Sequence, residues 1–169
     1  MLDRFDINPT QLTGLLSFVA AATVCVIATR RSTWRNARVW QALGLINGMF
    51  LIEVYFGLRH RIHDYFVALL IAEGEYGQRR GLQEFIIIGL AIIALICVML
   101  LLFSRGLAGT VWIAVGLTIA LLALFAIETV SLHSLDAALY SPIGPVALIG
   151  WLWAIAAAGI CWTALTAKA

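Results

Sequence analysis

An all-α membrane protein, a bundle of five transmembrane helices with an interfacial or re-entrant helix between the second and third, is the fold this sequence predicts. Three observations predict it. Of its 169 residues, 63% are hydrophobic and only 12% charged, whereas a water-soluble domain carries roughly 45–50% apolar and about 25% charged residues. The apolar residues gather in five stretches, each close to the roughly 20 residues that cross about 30 Å of hydrocarbon as a helix. The connection SRGLAG between the third and fourth is a tight, Gly-containing turn that makes those two spans antiparallel neighbours.

The whole chain, 1–169, reads as a single integral membrane domain. Its first span covers 12–29 and ends in Arg30 and Arg31. With few positive charges before it and no small-residue cleavage site after it, this span is expected to be retained and not removed as a signal peptide. The loop that follows, RRSTWRNAR, has four arginines and no acid. The second span covers 39–58 and includes Gln41 and Asn47, which can hydrogen-bond across helices.

Next comes RHRIHDYFVALLIAEGEYGQRRGLQE, in which the apolar run 65–72 is too short to cross a bilayer and predicts the interfacial or re-entrant helix. The third and fourth spans cover 85–103 and 110–130. The loop SLHSLDAALYSPIGP leads into the fifth, 143–165, with Pro142 and Pro145 marking the turn. Small residues, Ala114 and Gly116 in the fourth span and AIAAAGI in the fifth, predict close helix contacts.

Loops that stay in the cytoplasm are enriched in Lys and Arg, so the acid-free first loop is expected inside a bacterial-type inner membrane. The N-terminus then lies outside, and Arg105 and Lys168 lie inside with the C-terminus. On this orientation every acidic residue and all three histidines map to the outer side. Positive-inside selection alone tolerates acids in outer loops. It does not account for Glu53 and Glu128, which stand within apolar sequence, where a charged carboxylate costs roughly 2.5–3.5 kcal/mol at mid-bilayer and less near the interface.

The stretch EVYFGLRHRIHD concentrates the candidate chemistry. On one continuous helix Glu53, Gly57, His60 and Asp64 fall at offsets of four, seven and eleven and share a stripe. After the fourth span, a continued helix would place His133, Asp136 and Tyr140 on one side, not far round from Glu128. Two segments thus offer similar donors: Glu53, His60, His63 and Asp64 from one, Glu128, His133 and Asp136 from the other. Carboxylates and imidazoles together suit a divalent ion such as zinc, iron, manganese or copper, with Glu53 and Glu128 as catalytic acid/base groups. The alternative is that each glutamate makes an interhelical hydrogen bond or a salt bridge to an arginine such as Arg59. Haem competes for the same histidines, with His60 and His133 as axial ligands.

Arg79 and Arg80, with Tyr76 nearby, can clamp an anionic or lipidic substrate; the plainer reading is an anchor for the third span. The tryptophans, Trp40, Trp112, Trp151, Trp153 and Trp162, read as interfacial or packing residues. Cys25, Cys97 and Cys161 lie in separate apolar spans without CxxC spacing and read as core residues. The net charge of +2 is too small and too dispersed to predict a nucleic-acid partner. Membrane lipids, and other membrane subunits, are the partners expected. The sequence therefore predicts a metal-dependent membrane enzyme opening outward, with a non-catalytic accessory subunit of a larger complex as the alternative; a transporter fits less well, because the polar residues crowd one end.

Overall fold

The computed structural model describes residues 8–58, 61, 65, 68, 71, 107–130 and 133–167, with the backbone alone at 129, 130, 133, 134 and 136. Asn8 caps α1 (Pro9–Arg31): its side-chain oxygen accepts the Gln11 N–H at 2.7 Å. Pro9 stands at the start, where a missing N–H breaks no helical bond. Arg30 and Arg31 occupy the last turn, where cations complement the carbonyl end of the helix.

α2 (Trp34–Phe56) begins after only Ser32 and Thr33, earlier than the expected 39. The stretch WRNAR contains no helix breaker, so the arginine loop becomes helix that extends beyond the apolar span. α2 ends where Gly57 turns left-handed (φ 60°, ψ 40°) and donates its N–H to the Glu53 carbonyl at 2.7 Å.

α3 (Gly109–Val130) and the short α4 (His133–Leu139) follow. Pro142–Ile143 (β1) then pairs antiparallel with Val146–Ala147 (β2), with Gly144 at φ 71° in the turn. The last long helix, α5 (Leu148–Thr166), therefore starts later than the expected 143. Two prolines and a left-handed glycine hold 142–147 in a hairpin although its composition is apolar.

Four helices among the described residues, α1, α2, α3 and α5, are long and apolar enough to cross a membrane. The expected span at 85–103 lies outside the described residues. Of the expected interfacial segment only Tyr65, Ala68 and Ile71 are described; each is helical and exposed.

On each of the four long helices one row of buried positions follows the same rule, with Gly44, Val115, Ile149 and Thr163 buried beside it. The rows are Gly14, Phe18, Ala21, Cys25 and Ala28 on α1, and Asn36, Trp40, Leu43, Asn47, Phe50 and Val54 on α2. On α3 they include Val111, Ala114, Thr118, Leu121, Phe125 and Glu128, and on α5 Gly150, Trp153, Ala157, Ile160 and Ala164. Steps of three and four alternate throughout, the seam of a coiled-coil-like bundle.

Direction follows from the end contacts. Ala147 N–H donates to Thr10 Oγ1 at 2.9 Å, so α1 and α5 start at the same end. Gln11 Nε2 donates to the Val54 carbonyl at 3.0 Å, so α2 finishes there. At the other end Ala108 N–H donates to Asn36 Oδ1 at 3.5 Å, joining the starts of α2 and α3. α1 and α5 thus run one way and α2 and α3 the other, with α1 packed against α2 and α5, and α3 against α5 and α2.

Close approach depends on small residues at the contacts. A Cβ on Gly159 would stand 2.6 Å from Leu117 Cδ1, so the small-residue run in α5 does admit α3. Ala114 is fully buried as expected, whereas Gly116 has no neighbour among the described residues within 4 Å of where its Cβ would be. Asn47 does not bridge helices: its Nδ2 donates to the Leu43 carbonyl of its own helix at 2.8 Å. Gln41 is exposed.

Each long helix gives one ring to an aromatic layer near the end where α1 begins. Phe125 stacks on Phe50 (centroids 4.6 Å, planes 5° apart) and on Trp153 (5.6 Å, 4°). Phe18 leans against Phe50, Phe125 and Trp153 at 5.3, 5.9 and 6.1 Å. This layer forms the floor of the candidate site.

Candidate functional site

Glu128 stands one turn beyond Phe125 on α3 and is only 7% exposed. The Tyr140 hydroxyl donates to its Oε1 at 2.8 Å. A carboxylate this deep is costly without donors, and a hydrogen bond to a charged group contributes about 1.5–3 kcal/mol.

Tyr140 is delivered by the strap of α4 and the hairpin, which is tied down at several points. Ser141 Oγ donates to the Ala138 carbonyl at 2.6 Å, and Leu148 N–H to the Ser141 carbonyl at 2.9 Å. Trp151 Nε1 donates to the Ile143 carbonyl at 3.1 Å, and the Thr10 bond to Ala147 fastens the strap to α1. Replacing Tyr140 with Phe is expected to destabilise the protein by about 1–3 kcal/mol, because a buried carboxylate loses a donor. Thermal unfolding in detergent checks this, and the loss should shrink when Glu128 is already Gln, in a double-mutant cycle.

Glu53 reaches the same depth by the same step. It stands one turn beyond Phe50, and Phe50 and Phe125 are stacked rings on two helices that run in parallel. The two glutamates differ in environment. Glu128 lies in the seam of its helix under Tyr140, whereas Glu53 flanks the seam of α2, where Val54 takes the buried place, and is half-buried. The two are therefore level with each other, but only Glu128 belongs to the bundle interior.

The one continuous helix that would carry a stripe from Glu53 to Asp64 is interrupted at Gly57. α2 stops at Phe56, and the left-handed Gly57 redirects the chain, so Glu53 does not share a continuous helix with the residues that follow. His60, His63, Asp64, Tyr76, Arg79 and Arg80 lie outside the described residues. α3 is described to Val130 and α4 from His133, and the two residues between them, 131 and 132, lie outside the described residues. His133 and Asp136 lie one turn apart on α4, and their side chains are outside the description. Among the described residues, no group of three or more His, Cys, Asp or Glu is placed to hold a metal ion. Cys25 and Cys161 are free thiols, buried and half-buried, as core residues should be.

Sequence reading put Tyr140 on the same side as His133 and Asp136 but missed it as a partner of Glu128. The two stand twelve residues apart, too far for the i, i+3 and i, i+4 spacings that mark neighbours on a helix face. It missed Thr10, Gln11 and Asn36 altogether, because a lone polar residue near a span end has no pattern that marks it as a tie between helix ends. Comparison with known protein families, with curated proteins and with solved structures finds no match.

Proposed function

We propose that the chain crosses a bacterial-type inner membrane five times, with its arginine-rich turn in the cytoplasm, and that its opposite, outer end is a metal-dependent catalytic pocket. The fifth crossing is inferred from direction: α2 finishes at the Glu128 end and α3 starts at the other, so the chain between them has to return. The 85–103 stretch has the length and composition for that return.

The observation that carries the pocket is Glu128, a carboxylate held in the bundle interior by Tyr140 at the same depth as Glu53. Two carboxylates are too few for a closed metal site. The remaining ligands would come from His60, His63 and Asp64 on one side and His133 and Asp136 on the other. Those residues would hold a divalent ion, whose chemistry would be to lower the pKa of bound water or to bind oxygen. Glu53 and Glu128 act as ligands or proton carriers, Tyr140 fixes the Glu128 carboxylate, and Arg79 and Arg80 with Tyr76 hold an anionic or lipidic substrate. A non-catalytic accessory subunit is the second reading, favoured by the same Tyr140 bond, which already gives Glu128 a structural role.

Elemental analysis with a visible spectrum on chelator-free protein tests this. We expect about one equivalent of zinc, iron, manganese or copper, lost in Glu128→Ala and Glu53→Ala at unchanged expression. Tyr140→Phe should weaken metal binding about 10–100-fold, as loss of an orienting partner does. A Soret band would replace this reading with haem, and metal-free wild-type protein without a chromophore would leave the accessory subunit.

A further inference from the structure

We propose that the turn between α1 and α2 binds the phosphate headgroup of an anionic phospholipid. This site lies at the opposite end from the carboxylates and does not rest on the reading of that pocket.

Arg30, Arg31, Arg35 and Arg38 fall within nine residues, and all four are exposed. The 30–38 stretch contains no acid, and the described glutamates, Glu53 and Glu128, both lie at the other end of the bundle. Among the described residues the cluster is therefore a positive patch with no acid beside it. One of its members is oriented further: the Arg38 guanidinium lies 4.4 Å from the centre of the Trp34 ring, one turn away on α2, which restrains its donor fork. Trp34 itself is 64% exposed at the first position of the helix, where an indole suits the boundary between headgroup and hydrocarbon.

The first turn of α2 adds to this field. Thr33 makes no side-chain cap, so the early N–H groups of the helix keep their capacity for an anion beside Arg35 and Arg38. A planar guanidinium pair matches phosphate oxygens through parallel N–H donors.

A lipid, and not free phosphate, is the occupant this surface fits. Exposed apolar side chains begin directly beside the arginines and continue toward the middle of the bundle: Val26 and Ile27 on α1, Leu45 and Met49 on α2. A phosphate seated on the arginines leaves its acyl chains along that surface. Charge and apolar area are thus arranged in the order in which a phospholipid presents them.

The test uses the full chain in nanodiscs of equal parts phosphatidylglycerol and phosphatidylcholine, released into mild detergent, with retained lipids counted by native mass spectrometry. We expect phosphatidylglycerol to be kept in preference to phosphatidylcholine. Arg35→Gln and Arg38→Gln should each lower its retention about fivefold, the effect of one basic residue at a membrane surface. Arg38→Lys should fall in between, keeping charge but losing the planar fork. Equal retention of the two lipids by the wild type would overturn the proposal, and this comparison decides the matter even if a variant fails to fold. Unchanged retention in the folded double variant would overturn it too. So would full displacement of the lipid by millimolar inorganic phosphate, which would make this a site for a free anion.

Discussion

Phe125→Ala is expected to destabilise the protein by about 3–5 kcal/mol, the range for removing a large aromatic from a packed core. The reason is position. Phe125 stacks on Phe50 and on Trp153 and touches Phe18, so it meets a ring from each of the other three described long helices, two of them face to face. Within lipid there is little hydrophobic gain from bringing apolar helices together, since the surrounding chains are as apolar as the side chains. Association then depends on close packing, and a void at the crossing point of four helices removes contacts from every one of them. Phe125→Leu, which keeps much of the volume, should cost roughly 1–3 kcal/mol less. Thermal unfolding in a fixed detergent compares the two. A loss of function in Phe125→Ala would also follow, because Glu128 stands on that layer one turn further along α3.

Gly14→Ala should rank next, at about 1–3 kcal/mol for overpacking. A Cβ on Gly14 would stand 2.8 Å from Trp153 Cε3 and 3.2 Å from Val54 Cγ1. The Trp153 ring cannot swing aside easily, because its other neighbours are the stacked Phe125 and the tilted Phe18. The strain would therefore pass to the backbone spacing of α1, α2 and α5. Gly48→Ala and Gly116→Ala supply the contrast. Among the described residues neither has an atom within 4 Å of the added carbon, so both should be neutral or slightly stabilising through the helix propensity of alanine. If Gly14→Ala unfolded at the same temperature as Gly48→Ala, the close packing of these three helices would be wrong.

How far the sequence could be read depended on the kind of signal each feature carries. Membrane class and the approximate places of α1, α2, α3 and α5 were legible because hydrocarbon sets a length and a composition, and both can be counted along the chain. The depth of Glu53 and Glu128 was legible for the same reason. Which residues of each span face the interior was not. In a water-soluble bundle the polar face reveals the apolar seam, but in lipid both faces are apolar, so Phe50 on the seam and Met49 on the surface carry the same signal. The helix ends also misled where charge and apolarity were taken as the boundary. Arg35 and Arg38 extend α2 beyond the apolar stretch, while the apolar 142–147 is a hairpin held by Pro142, Gly144 and Pro145.

By itself, then, the sequence determined a helical membrane protein with four of its eleven basic residues gathered at one acid-free turn and two glutamates near the far ends of their spans. Those are properties of single segments, and a single segment's transfer into lipid decides them. Only the tertiary structure decided that α2 and α3 run in parallel, that Phe50 and Phe125 meet face to face, that Gly57 breaks the stripe toward Asp64, and that Tyr140 returns to Glu128. Each of these depends on two or more helices fitting together, or on a backbone turn at one glycine, and no local pattern of hydropathy carries that information.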